Sequence, residues 1–345
     1  MSTSAKLHHT LLTIGVCVAS AWSIGAWAQN DAGAQKVQNA SSATCTNPKP
    51  GSVKLSDLVV GFSQSENEQN PFRATETNSV RAAAKAAGVK RLLYTNANDN
   101  QAKQVADIES MINQGAQALI VAPNDSTGLQ PAFAQARAKG IPVVTIDRAT
   151  AGTVCEDFIT FLGSDFYKQG ERAAQALADA TGGNAVIAEI QGGYGNNVES
   201  ERTDGFAAGL KKYPGMKLAA AQTANWSTTE AQKVMEQILL AHPDVNAVYA
   251  HADTMAIGAI TALRQAGKLK GVTIVSIDGT KDIVQDIVAG TAAADVETNP
   301  RFGPLAFKSL ADWFAGKPVP QKQIMEDALY NKANAKKSLD AGAVY

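Results

Sequence analysis

The stretch "PVVTIDRAT", residues 142–150, is an apolar strand that stops abruptly on two opposite charges. Pro142 opens it, Val143 to Ile146 fill it, and Asp147 and Arg148 close it. A second stretch, "VTIVSIDGT" at 272–280, repeats the design: a mainly apolar run, then Asp278 and Gly279. Strands that are apolar throughout, and not only at every second position, are covered on both faces. That is the condition of a parallel α/β sheet.

Working outward, the same kind of run recurs at "LVVGFS" (58–63), "RLLYT" (91–95), "ALIVA" (118–122), "FITFLG" (158–163), "NAVIAEI" (184–190), "AVYAH" (247–251) and "AAADV" (292–296). Ala-rich stretches with helical spacing lie between them, and three end on Gly88, Gly115 and Gly140. Glycine beyond a helix end accepts the left-handed conformation that side chains resist. Alternating strands and helices predict right-handed crossovers and an open, doubly wound parallel sheet. Two such series occur, at about 57–160 and 161–290, so the architecture is duplicated. Open α/β sheets bind ligands beyond the carboxyl ends of their strands. Asp147 and Asp278 are therefore expected to face each other across a cleft between the halves.

The first 28 residues read as an export signal. Lys6 and two histidines precede an apolar run from Leu11 to Trp27, and "AWA" (26–28) places small residues for cleavage after Ala28. A transmembrane anchor fits less well, because the run is short and carries Ser, Thr and Gly. Residues 29–54 are rich in Ala, Ser, Asn, Gln and Pro without an apolar period, and are expected to be a flexible lead-in. The remaining chain of about 290 residues suits two domains. Removing Lys6 leaves 30 basic and 32 acidic residues, a net charge of −2, and no basic cluster points to nucleic acid. Only 18% of residues are charged, which favours a small neutral partner. Export into an oxidising compartment leaves Cys45 and Cys155, which either pair or stay apart.

The other strand ends are also polar: "NANDN" (96–100), "APNDS" (122–126), "GSDF" (163–166), "HADT" (251–254) and "VETNP" (296–300). One Asp–Arg pair alone reads equally well as a local ion pair. Repeated amides and carboxylates suit vicinal hydroxyls, and aromatic rings suit the C–H face of a sugar. Phe72, Phe166 and Trp226 stand in loops or at helix starts, although Phe72 and Trp226 suit core positions as well.

The segments "VGFSQSENEQNPFRATETNSVRAAAKAAG", "IVAPNDSTGLQPAFAQARAKGIPVVTIDRAT", "AEIQGGYG", "ERTDGFAAGL", "VYAHADTMAIGAITALRQAG", "IVSIDGTKD" and "VETNPRFGPLAF" follow one another in order. Together they resemble the pentose- and hexose-binding periplasmic proteins of ABC importers, from about residue 57 onward. The opening segment is most similar to the galactofuranose-binding branch, with one extra residue and Phe72 in place of a Trp. The resemblance implies a type I periplasmic binding protein: two Rossmann-like, doubly wound parallel-sheet lobes joined by a three-segment hinge. It implies a first lobe of 55–163 plus 298–326 and a second of 164–297 plus 327–345. It further implies ligand contacts from Glu68, Phe72, Arg73, Asp147, Arg148, Arg202, Trp226, Asp278 and Glu297. Two positions depart from the family pattern: Ala252 replaces an Asn, and an Arg is missing near Thr228.

The residues and the resemblance together imply an exported, monomeric solute-binding protein, without metal or cofactor. It would capture a monosaccharide (galactofuranose, galactose or a pentose) and deliver it to an ABC permease. A periplasmic sensor that presents its closed form to a receptor is the first alternative, and an exported sugar-modifying enzyme the second. Enzyme motifs are missing. "GGYGNNV" (192–198) has Val198 where a dinucleotide loop needs its third glycine, and neither a P-loop nor a G-x-S-x-G elbow occurs. After export His242 and His251 remain, His242 expected at the surface and His251 within reach of the cleft, with no Ser or Cys nucleophile paired to either.

Overall fold

The computed structural model describes Met1, residues 36–51 and residues 53–345. The expected signal segment, apart from Met1, and the first part of the lead-in lie outside the described residues. The elements run β1 (Val37–Ala40), β2 (Thr44–Cys45), β3 (Val59–Gln64), α1 (Pro71–Ala87), β4 (Arg91–Asn96), α2 (Gln101–Asn113), β5 (Ala118–Val121), α3 (Gln130–Ala138), β6 (Val143–Ile146) and β7 (Thr160–Gly163). There follow α4 (Phe166–Thr181), β8 (Asn184–Gln191), α5 (Asn197–Leu210), β9 (Gly215–Thr223), α6 (Thr228–Ala241), β10 (Ala247–Ala250), α7 (Asp253–Gln265), β11 (Thr273–Asp278), α8 (Lys281–Ala289) and β12 (Ala294–Glu297). The last are α9 (Gly303–Phe314), β13 (Val319–Pro320), β14 (Lys322–Met325), β15 (Leu329–Asn331) and α10 (Ala335–Asp340).

Two mostly parallel sheets form two lobes. The first has the order β1-β14-β7-β6-β5-β3-β4 and the second β15-β12-β11-β10-β8-β9; within them only the edge strands β1 and β15 run antiparallel. Every residue of β5, β6, β7, β10 and β12 is buried, as uninterrupted apolar runs require. Gly88, Gly115 and Gly140 take φ of 65°, 89° and 68° just past α1, α2 and α3. Strand β9 carries little apolar signal. It is an edge strand, its side chains mostly exposed or half-buried, and pairs through its main chain with β8.

The chain passes between the sheets three times, between Gly163 and Phe166, between Glu297 and Gly303, and between Met325 and Leu329. Asp327 binds all three passages together. Its Oδ1 accepts from Ser164 Oγ at 2.9 Å and from the Asn299 amide at 3.2 Å, and its Oδ2 accepts from Gln169 at 2.8 Å. Burial raises its pKa to about 6 despite these donors.

The lead-in differs from its expected flexibility. Within it, β1 pairs with β14 and β2 with β13, and Cys45 is bridged to Cys155 with Cα atoms 5.2 Å apart. An edge strand offers unpaired N–H and C=O groups to any extended segment, so main-chain bonds order a polar stretch that has no apolar face. The disulfide pins the stretch to the first lobe.

Candidate functional site

Asp147 directly follows β6 and Asp278 ends β11, and both have positive φ, 64° and 147°. Side chains resist that region, so each Asp costs on the order of 1–3 kcal/mol that its surroundings must offset. Around the pair lies a small cavity, partly open to solvent. The first lobe contributes Glu66, Phe72, Arg73, Asp147 and Arg148, and the second Arg202, Trp226, Ala252, Asp278 and Thr298.

In the first lobe, Asn70 caps α1 by accepting from the Phe72 amide, and Pro71 starts the helix with its φ preset. This start turns Phe72 and Arg73 into the cleft. Arg73 is 97% buried and holds three carboxylates: Asp147 at 2.7 Å, Glu76 at 2.9 Å and Glu66 at 3.3 Å. Arg148 donates to Glu66 and to the Asn124 carbonyl, and its buried Nε has no hydrogen-bond partner among the described residues. Burial alone would raise the pKa of Glu66, but Arg148 and Arg73 hold it down at about 2. Glu76 moves the other way, to about 7, driven by burial and by the nearby Asp147 against the pull of Arg73.

In the second lobe, Asn196 caps α5, and Arg202 emerges from its second turn. Its Nε donates to Gln169 at 3.1 Å, Nη1 to the His251 carbonyl, and Nη2 to Thr298 Oγ1 at 2.7 Å, with Asp278 at 3.4 Å. The Phe166 ring lies 5.5 Å from the same guanidinium. Burial pushes Asp278 up to about 8, with Arg202 opposing and Asp253 reinforcing. Asp253 itself accepts from Ser276 and from the Gly279 and Thr280 amides. Trp226 (φ 62°) stands at the entrance to α6, its ring 6.0 Å from the Arg148 guanidinium of the other lobe. The indole lies flat on the Gly192–Gly193 backbone, where a Cβ on Gly192 would come within 1.9 Å of it. The first two glycines of "GGYG" thus seat a ring. The His251 side chain turns away from the cleft toward Glu189, at 2.8 Å.

Seven of the nine expected contact residues meet around the cavity: Phe72, Arg73, Asp147, Arg148, Arg202, Trp226 and Asp278. Glu68 and Glu297 do not. Glu68 faces outward, where it accepts from the Tyr94 hydroxyl and pairs with Arg81 at 3.6 Å. Glu66 takes the place expected of it, drawn inward by two guanidiniums. The extra residue in "SENEQN" shifts the register of the resemblance, and pattern alone does not choose between two glutamates of the same parity. Glu297 accepts from the Ala328 amide at 2.9 Å and borders a different cavity, beside Arg301 and Tyr330. Alternation along an extended segment sends Thr298 to the cleft when Glu297 points away. The cleft therefore holds three carboxylates against three guanidiniums.

The periplasmic binding protein domain matches residues 60–318. The chain belongs to that family. Among its relatives, the ribose import binding protein of Bacillus subtilis is 36% identical over 271 residues, covering 78% of this chain and 85% of the relative. The galactofuranose-binding protein of Escherichia coli is 31% identical over 290 residues, covering 82% and 91%. A solved periplasmic binding protein of the arabinose ABC transporter from Shewanella sp. ANA-3, bound to α- and β-L-arabinofuranose, superposes with a TM-score of 0.78 at 32% identity. The match covers 82% of this chain and 94% of that one. As a periplasmic binding protein, the chain carries the two-lobed α/β architecture of these relatives.

Proposed function

We propose that the protein captures a monosaccharide between its lobes, as a furanose or small pyranose, and delivers it to the membrane permease of an ABC importer. One observation carries this reading: two aromatic walls, Phe72 and Trp226, come from opposite lobes to flank a polar belt of paired Arg and Asp or Glu side chains. Rings suit the C–H faces of a sugar, and the belt suits its hydroxyls. In the first lobe the charges are already paired with one another, so an ionised ligand group there would have to break a buried pair. The names of the relatives, for ribose, galactofuranose and arabinofuranose, support the same class. The protein acts as a monomer in the periplasm, by affinity and lobe closure and without turnover of the sugar. Ligand contacts fall to Glu66, Phe72, Arg73, Asp147, Arg148, Arg202, Trp226 and Asp278.

Calorimetry with galactose, arabinose, ribose and glucose, beside an amino-acid mixture and a sugar phosphate, tests this. Binding of at least one aldose near micromolar is expected. Binding of only the phosphate or the amino acids would overturn the reading.

A further inference from the structure

Residues 343–345 run behind the cleft, and two neighbours there pack into different lobes. Val344 sits against the core of the second lobe, whereas the Tyr345 ring packs against the core of the first. The Tyr345 hydroxyl donates to the Asp278 carbonyl at 2.8 Å and lies 3.3 Å from that of Thr298. Its ring stands edge-on to Phe72, with centroids 6.4 Å apart and planes at 69°. Arg301 covers the ring, its guanidinium 5.6 Å from the centroid, and donates to the Ala343 carbonyl. The Lys281 amide donates to the carbonyl of Tyr345. Tyr345 does not line the cleft; Phe72, Asp278 and Thr298, which it touches, do.

Asp278 and Thr298 are the two groups that meet Nη2 of Arg202. Asp278 also has the strained φ of 147°, a conformation that persists only where its surroundings hold it. Two donors fix its carbonyl: the Thr298 amide and the Tyr345 phenol. A single side chain therefore anchors the polar floor of one lobe and backs the aromatic wall of the other.

We propose that Tyr345 is a positioning residue for the ligand, setting the relation between the Asp278–Thr298–Arg202 group and the Phe72 ring when the lobes are closed. The proposal rests on the sugar-binding reading. It is tested by calorimetry on the full chain with whichever sugar the unaltered protein binds, using Tyr345→Phe, Tyr345→Leu, Phe72→Leu and the Tyr345→Leu/Phe72→Leu pair. Melting temperatures are measured without sugar. Tyr345→Phe keeps the ring and should bind about three- to tenfold more weakly, a loss larger than any fall in its ligand-free stability. Tyr345→Leu should lose more than about tenfold. Phe72→Leu should cost less when combined with Tyr345→Leu than alone, because the ring contact is already gone. Equal affinity of Tyr345→Phe and the unaltered protein, or strictly additive effects in the pair, overturns the role. So does a weakening explained by an equal fall in ligand-free stability. If the unaltered protein binds no sugar at all, the sugar-binding reading itself fails, and this role falls with it.

Discussion

Arg73 and Asp147 lie 74 positions apart in the chain and 2.7 Å apart in space, both almost fully buried. Arg73 lies in the first turn of α1 and Asp147 directly follows β6, so their meeting depends on β3, β5 and β6 lying side by side. Neither charge is stable there alone. Desolvating a guanidinium or a carboxylate costs several kcal/mol, and each repays the other.

Asp147→Ala removes one member of that group while Arg73 and Arg148 stay in the cleft. Losing one partner of a buried charged pair costs roughly 2–5 kcal/mol in binding. Sugar binding by the purified variant should become undetectable by calorimetry while its far-ultraviolet circular dichroism stays native. Unaltered affinity would remove Asp147 from the site.

The pH dependence of stability should carry the mark of Asp278. With a folded-state pKa near 8 against an ordinary value of 3.8, this group retains a proton that the unfolded chain has lost. Its contribution is therefore complete below about pH 4 and fades as the pH rises through 8. Glu76, Asp253 and Asp327, raised to about 7, 6 and 6, act with the same sign. Glu66, held at about 2, acts oppositely, but its contribution is lost only as the pH falls from 4.5 through 2. His251, kept from its proton by burial, also acts oppositely, so the comparison with Asp278→Asn isolates the carboxylate. Unfolding free energies from urea titrations at pH 5.5 and 8.5 should differ by less in Asp278→Asn than in the unaltered protein, by ~1 kcal/mol or more. An identical difference would show that Asp278 does not hold the proton.

Much of this cleft was legible because burial writes itself into composition. The uninterrupted apolar runs before Asp147 and Asp278 mark strands covered on both faces, and the residues that end such strands face a ligand crevice. What escaped is whatever main-chain bonding or side-chain direction decides. Strand β9 fully buries only Met216, and β1 is ordered by the edge of β14; neither needs an apolar period. Glu66 and Glu68 share a parity and differ only in which cations attract them. Glu297 and Thr298 differ only in which side of an extended chain they occupy. Tyr345 gives no local signal, because its partners Phe72 and Asp278 are distant in sequence.

The bridge between Cys45 and Cys155 closes a separation of 110 residues and holds β2 beside β13. Disulfides typically confer about 2–4 kcal/mol. The Cys45→Ser/Cys155→Ser protein should therefore melt several degrees lower, and hydrogen exchange in residues 37–45 should accelerate. Free alkylation of both cysteines in non-reduced protein from the periplasm would refute the bridge.

Gly192 offers the sharpest test of the aromatic wall, because the expected effect comes from one methyl group. The Trp226 indole occupies the space where a side chain at 192 would begin, with three ring atoms within 2.3 Å of an ideal Cβ. Gly192→Ala must push the indole outward, into the space a ligand would fill, or shift the β8–α5 loop. Overpacking of this kind costs about 1–3 kcal/mol. Half-buried Trp226 faces the cleft, and outside the expected signal segment the only other tryptophan is Trp313, packed in the first lobe. Sugar binding should therefore change the fluorescence of the unaltered protein, and the change should vanish in Trp226→Phe. In Gly192→Ala, affinity should fall at least tenfold, with the ligand-free emission shifted toward that of a more exposed indole. If affinity and emission both stay unchanged, the ring is not seated on Gly192 when ligand binds, and Trp226 is not a wall of the site.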